Sequence, residues 1–440
     1  MRKGLAWASA LLAMPAIASA QQAPVTPIAA APPAATQAPA SQTPAARITI
    51  EEAIRLALQH NHALQAARST ILQFQSIETT ANLRPNPVLT WDAQFLPFFS
   101  PSKFDSDYID NQAQFDAGIG YTLERGKKRQ HRLQAAKDQT SIARSQVSDN
   151  ERQLAFNVAQ QFIAVLLAQS SVDFAQQILE GFRQTVGISE ARYKAGDMSE
   201  GDLLKIKLQL LQFQTDVSAA KLAKVQALAG LRQFLGFESV PDQYDVDGQL
   251  DYQAVRAGMD DLKSLAVRSR PDLLAAQQAV TAARSQELLA KANSKRDLGV
   301  SFNYSHVAAT NTGAFFFNIQ LPIFDRNQGE IARTGYVITQ TEQLASETSQ
   351  QVMTDVVDAY EALRASEQIV QLYRGGYVDQ ASQSRDISEY AYKRGAASLL
   401  DYLDAERTYR ANQLAYRQAL ATYMTALEQT RQAVGTRNLP

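Results

Sequence analysis

Residues 188–204 and 387–403 carry nearly the same text. The first reads Ile188-Ser189-Glu190-Ala191-Arg192-Tyr193-Lys194-Ala195-Gly196, followed by Ser199, Asp202 and Leu204. The second reads Ile387-Ser388-Glu389-Tyr390-Ala391-Tyr392-Lys393-Arg394-Gly395, followed by Ser398, Asp401 and Leu403. Each residue of the first stretch lies 199 positions before its counterpart, as in Ile188 and Ile387. A repeat held over that distance constrains the architecture more than any composition does. Each stretch reads as a sharp turn between two long helices. Glycine serves as a left-handed helix stop, and the Ser and Asp beyond it cap the next helix. The tips are expected at 193–202 and 392–401.

The chain has 440 residues, a formal net charge of −1 and no cysteine. The charge gives no field for nucleic acid, and disulfides and thiolate metal sites are excluded. Arg2 and Lys3, the apolar run Leu5 to Ile17 and Ala18-Ser19-Ala20 read as a signal peptide over 1–20. Residues 21–46, rich in Ala, Pro, Gln and Thr, read as a disordered tail. No later stretch is expected to supply the roughly 18 to 20 apolar residues of a membrane helix. An exported chain of this kind is then either soluble or crosses a membrane as a β-barrel.

Thr49, with Glu51 and Glu52, opens a helix, and a second runs to about Arg84, where Pro85-Asn86-Pro87 ends it. The period then changes to two. Strands are expected at about 88–95 and 115–123, with Leu89, Trp91, Phe115 and Ile119 on an apolar face. From Glu124 to about Ala195 the pattern is helical. Val158, Val165, Val172, Leu179 and Val186 recur every seven residues, the seam of a coiled coil. A return helix runs to Leu235, and 237–258 is loop-like. The second half follows the same order. It has helices from Asp260 and from Pro271 to about Arg296, then strands at about 298–306 and 314–321 with Phe302, Phe317 and Ile319 on the apolar face. One long helix to about Arg394 carries Val356, Leu363, Val370 and Tyr377, and a last helix follows Ser398. The repeats are therefore drawn as 47–258 and 259–440.

The expected fold is mainly α with a membrane β-barrel, in which long coiled-coil hairpins form a tunnel. Four strands cannot close in lipid, where every unpaired backbone group costs several kcal/mol, about 2–7 each. Barrels need about eight strands, so several chains are expected to share one, and a homotrimer would give twelve.

This order resembles the TolC family of trimeric outer-membrane efflux channels, over about Ile48 to Val434. The tips resemble its Tyr-x-x-Gly-x-x-x-x-x-Asp pattern through Tyr193, Gly196 and Asp202 and through Tyr392, Gly395 and Asp401. Arg84-Pro85-Asn86-Pro87 with Gly126-Lys127-Lys128-Arg129, and the run Leu321 to Glu330, are similar to its heavy-metal, CzcC-like branch. The resemblance implies a passive conduit in the outer membrane with a periplasmic extension, no enzyme and no cofactor. Its partners would be outer-membrane lipid, a periplasmic adaptor and an inner-membrane, proton-driven pump. Adaptor docking would fall on Tyr193, Lys194, Gly196, Ser199, Asp202, Tyr392, Lys393, Gly395 and Ser398. Asp401 and Asp404, one turn apart on a helix face, would line the pore constriction. Two departures stand out: no cysteine offers lipidation, and Ala397 occupies a place where the family often has arginine.

Other motifs carry less. Gly126-Lys127-Lys128-Arg129 lacks the spacing and the Ser or Thr of a phosphate loop, and suits a membrane–water boundary. Asp325-x-Asn327-x-Gly329 misplaces the glycine of a calcium loop, and Asp325 or Asn327 is expected to cap a helix. His60, His62, His131 and His306 form no ligand cluster, so no metal site is expected. Heavy-metal cations are the expected cargo. Drug or protein export, and a non-pore periplasmic scaffold with its apolar strand faces in a soluble core, stand as alternatives.

Overall fold

A computed structural model describes residues 46–439. The signal peptide and all of the tail except Ala46 lie outside the described residues. A short strand β1 (Ala46–Ile48) leads into α1 (Ile50–His60), capped by the Thr49 side chain accepting from the Glu52 amide. Helix α2 (His62–Ala81) is capped by Asn61. Strand β2 (Val88–Gln94), a short helix α3 (Ser106–Asn111) and strand β3 (Gln114–Leu123) follow. Helix α4 (Lys128–Lys194) has 67 residues and is therefore roughly 100 Å long. Helix α5 (Glu200–Leu235) returns along it and strand β4 (Tyr244–Val246) follows. The second half comprises α6 (Met259–Ser269), α7 (Pro271–Asn293), β5 (Leu298–Val307), β6 (Thr310–Ile319), α8 (Gln328–Leu372), α9 (Val378–Lys393) and α10 (Leu399–Val434).

Helix α4 is the spine, with α1, α2, α5, α7 and α10 packed along it. Its heptad valines are buried, as the seven-residue spacing requires. One window of α4 is apolar and long enough to cross a membrane, contrary to the expectation of none. Among the residues of this helix, Val158, Phe162, Val165 and Leu166 sit in a core with α1, α5 and β4. Core helices pass that composition test without entering lipid. A second core joins α6, α7, α8 and α10 through Leu262, Leu273, Val352, Val356 and Val434. There the buried guanidinium of Arg270 is held by Asp272 at 2.6 Å and Asp355 at 2.8 Å. A buried charge is tolerated only when paired in this way.

The four longer strands form one antiparallel sheet in the order β2-β3-β5-β6, with β2 and β6 as edges. Its register puts Leu89, Ile119, Phe302 and Phe315 in one cross-strand row, and Tyr121, Val300 and Phe317 in another. Trp91, Phe115 and Ile319 share that face, since alternate residues of a strand point the same way. The opposite face carries Thr90, Asp92, Asp116, Thr122, Ser301, Asn303 and Ser305. Leu89, Trp91, Ile119, Phe315, Phe317 and Ile319 are all exposed within the single chain.

Several boundaries differ from the sequence reading. Strand β6 begins at Thr310 and ends at Ile319, not at 314 and 321, because Ala308 and Ala309 both adopt left-handed backbone (φ 51° and 54°) in a two-residue hairpin. That conformation favours Gly or Asn, and neither is present. The long second-half helix stops at Leu372. A π-helical turn over Tyr373–Tyr377, with Gly376 at φ 120°, separates α8 from α9, and Tyr377 is exposed rather than in the seam. Residues 237–258 contain β4, which pairs in parallel with β1, so Ala46 is strand rather than tail. Asn327 occupies the N-cap position of α8 with left-handed backbone and no capping side-chain bond. Its side chain instead donates to the Ala290 carbonyl at 2.8 Å. Helices α2 and α7 end at Ala81 and Asn293, about three residues short of expectation.

Candidate functional site

The two tips are built alike. At the first, the Gly196 amide donates to the Tyr193 carbonyl (3.0 Å) and the Asp197 amide to the Arg192 carbonyl (2.9 Å). At the second, Gly395 donates to Tyr392 (3.0 Å) and Ala396 to Ala391 (2.8 Å). The glycines lie at φ 83° and 76°, where a side chain would be strained. The Ser199 hydroxyl accepts from the Asp202 amide, and Ser398 accepts from Asp401, both at 3.1 Å. At the second tip the Asp401 carboxylate accepts from the Ser398 amide in return, completing a capping box.

The single chain brings these tips together. Tyr392, only 4% exposed, stacks on Tyr402 and approaches the Ser189 hydroxyl of α4 at 3.1 Å. Arg192 of the first tip donates to the Tyr392 carbonyl at 3.1 Å and lies over its ring. Phe174, Phe182, Ile206, Phe213, Leu399 and Tyr409 complete the core between the two hairpins. The matching tyrosines therefore differ: Tyr193 is exposed, whereas Tyr392 joins the hairpins and departs from the expectation of an exposed docking residue. Lys393 is held by Glu389 at 2.7 Å. Lys194, Gly196 and Ser199 are exposed.

Asp401 and Asp404 both lie exposed on α10. Neither is a bare carboxylate. Asp401 is engaged by Ser398, and Asp404 is paired with Arg407 at 2.5 Å. At the first tip, the Ser199 hydroxyl and Lys205, 3.2 Å away, lower the pKa of Asp202.

Sequence reasoning missed a ladder on α10. Tyr402, Tyr409, Tyr416 and Tyr423 recur every seven residues. Each meets another ring: Tyr392 and Phe182, then Phe174, Tyr373 and Tyr252. The spacing was a readable signal. Burial pushes the Tyr423 hydroxyl up to about 12 and raises Tyr402 further. Between these rungs Glu406 is buried, 4% exposed. Desolvation raises its pKa, against the pull of Arg385 and Arg410.

Paired helical hairpins here adjoin a four-stranded sheet whose apolar face is exposed in the single chain. The chain belongs to the outer membrane efflux protein family, whose sequence pattern matches residues 53–237 and 262–436. It is an outer-membrane efflux channel. It is 25% identical over 400 residues to the cobalt-zinc-cadmium resistance protein CzcC of Cupriavidus metallidurans, covering 88% of each chain. It is 26% identical over 280 residues to the cation efflux system protein CusC of Escherichia coli, covering 58% of each. The open-state MtrE outer membrane channel of Neisseria gonorrhoeae superposes with a TM-score of 0.73 at 19% identity, over 88% of this chain and 89% of that one.

Proposed function

We propose that three copies of this chain close one twelve-stranded barrel and form a passive conduit for heavy-metal cations. The observation that carries the assembly is the sheet itself. It has two unpaired edges, β2 and β6, and one exposed apolar face. In lipid such edges must find partners, and an apolar face needs no cover. A periplasmic scaffold would instead bury that face. Leu89, Trp91, Phe115, Ile119, Phe302, Phe317 and Ile319 then meet lipid.

The cargo reading rests on the likeness to CzcC, which spans most of both chains. In this reading a periplasmic adaptor docks on the exposed tip residues, and an inner-membrane, proton-driven pump supplies the energy. Asp401 and Asp404 ring the narrow entrance. The tips, 199 residues apart, and the left-handed starts of α4 and α8 at Lys127 and Asn327 support two repeats, 47–258 and 259–440. A deletion strain tests the cargo. Growth should fail on zinc, cobalt or cadmium salts and be restored by the full gene. Sensitivity confined to dyes and antibiotics would transfer the reading to drug export.

A further inference from the structure

The corner where the sheet passes into the long helices carries more positive charge than its carboxylates neutralise. A groove of about 240 Å³ lies there, lined by Arg84, Glu124, Lys127, Lys128, Arg129 and Gln130 and, at the end of β3, by Tyr121, Thr122 and Leu123. The nearby carboxylates are already engaged. Glu124 pairs with Arg132 at 2.7 Å, and Asp297 pairs with Lys128 at 2.8 Å. Among the described residues Arg84 and Lys127 form no ion pair, and Arg129 donates only to the Asn82 carbonyl at 3.4 Å.

The lining is mostly polar, but it includes two side chains of the apolar strand face. Tyr121 and Leu123 belong to the apolar face that continues through Ile119 and Phe302. The cations lie on the helix side. Charge below and a continuous apolar surface above match a phospholipid, with its phosphate on the cations and its chains along the strands. We infer that this groove binds the headgroup of an anionic phospholipid in the leaflet nearest the helices. A zwitterionic headgroup would bring an ammonium that finds no free carboxylate. Free phosphate would leave Tyr121 and Leu123 unused. The phosphates of an outer-leaflet glycolipid would lie at the opposite end of the strands. The inference rests on the barrel reading of the sheet.

The test uses the full assembled chain in detergent, with equal phosphatidylglycerol and phosphatidylcholine added, read by native mass spectrometry. The wild type should retain phosphatidylglycerol roughly tenfold better, and added salt should erase the preference. Arg84→Gln with Lys127→Gln and Arg129→Gln should reduce the preference to about twofold or less. Inorganic phosphate should not displace the lipid. Equal retention of both lipids by the wild type overturns the inference, as does a preference insensitive to salt. Displacement by phosphate overturns it too, reducing the groove to a simple anion site. If the triple variant fails to assemble, Lys127→Gln alone replaces it, and an unchanged preference there is again negative. Failure of the barrel reading is separately visible, because the chain would then extract without detergent.

Discussion

Tyr392 of the second tip stacks on Tyr402 of the following helix, ring centroids 5.3 Å apart and planes 8° apart. Through the Ser189 hydroxyl and Arg192, the same tyrosine ties the second hairpin to the first. Tyr392→Ala should leave a cavity costing about 3–5 kcal/mol locally. Tyr392→Phe should lose only the hydroxyl contact, about 1 kcal/mol. Hydrogen exchange at residues 185–200 and 388–403 checks both. Exchange should rise sharply in the alanine variant, slightly in phenylalanine, and not at the α1 core. Equal protection in all three would show that the stack does not hold the tips.

Glu406 supplies a pH dependence. Arg385, Asp386 and Glu389 of α9 face it, with Arg410 of its own helix, which is itself paired with Asp216 of α5. Its folded pKa is raised above the ordinary 4.5, so the folded state holds the proton more tightly than the unfolded state. Below 4.5 the group is protonated in both states and the raised pKa costs nothing. Stability therefore falls as pH rises from that value to the folded pKa, then levels off. Glu406→Gln should raise the melting temperature by a few degrees at pH 8 and leave it unchanged near pH 4. Parallel melting curves for variant and wild type across that range would remove the group from this role.

The strand faces offer a direct contrast. Ile119 lies on the apolar face, and Gly120, its neighbour, on the polar one. A Cβ at Gly120 would meet the Ser301 Cβ at 3.5 Å, an ordinary contact. A charge on the lipid side costs about 2–4 kcal/mol at the bilayer midplane. Ile119→Arg should therefore deplete assembled trimer in outer-membrane fractions, while Gly120→Ser should not. Equal yields would count against the face assignment.

Those strands and the tips were legible because their signals are local: a period of two, a glycine at a fixed place, a serine followed by aspartate. What escaped depends on contacts far along the chain. The Ala308–Ala309 hairpin has no turn residue to announce it, and the Ala309 amide donates to the distant Asp110 carbonyl at 2.7 Å. The three-residue pairing of β1 with β4 is too short to show a period. The break at Tyr373–Tyr377 was hidden because Val370 and Tyr377 keep the seven-residue spacing across it. Gly375-Gly376 was the available warning. At the site, the sequence assigned the two tip tyrosines the same docking role. Only packing separates the buried Tyr392 from the exposed Tyr193.

The tip glycine offers another test. Gly395 lies at φ 76°, and a β-branched residue there is strained by roughly 1–3 kcal/mol. Gly395→Val should leave trimers in the membrane, because the strands and the α6–α8 core are remote from it. Efflux and adaptor cross-linking should be lost. Normal resistance to metal salts in that variant would take the second tip out of the docking surface.

The proposed entrance is best tested one charge at a time. Asp401 is bound into the cap of α10, whereas Asp404 faces Arg407 at 2.5 Å. Each chain then brings two carboxylates and one guanidinium to this face, a net charge of −1 from these three groups. Removing Asp404 alone frees Arg407 and should turn the face neutral, lowering cation selectivity. Removing Arg407 alone should do the opposite, because unpaired carboxylates attract cations and crowd one another. Asp401→Ala should also loosen the first turn of α10, because the reciprocal half of the capping box is lost while Ser398 still caps it. Asp401→Ala with Asp404→Ala should raise bilayer conductance, lower cation selectivity and weaken block by trivalent cations. Reversal potentials in a salt gradient should therefore order as Arg407→Ala, wild type, Asp404→Ala, from most to least cation-selective. An order that ignores the sign of the removed charge would show that this face of α10 does not line the pore.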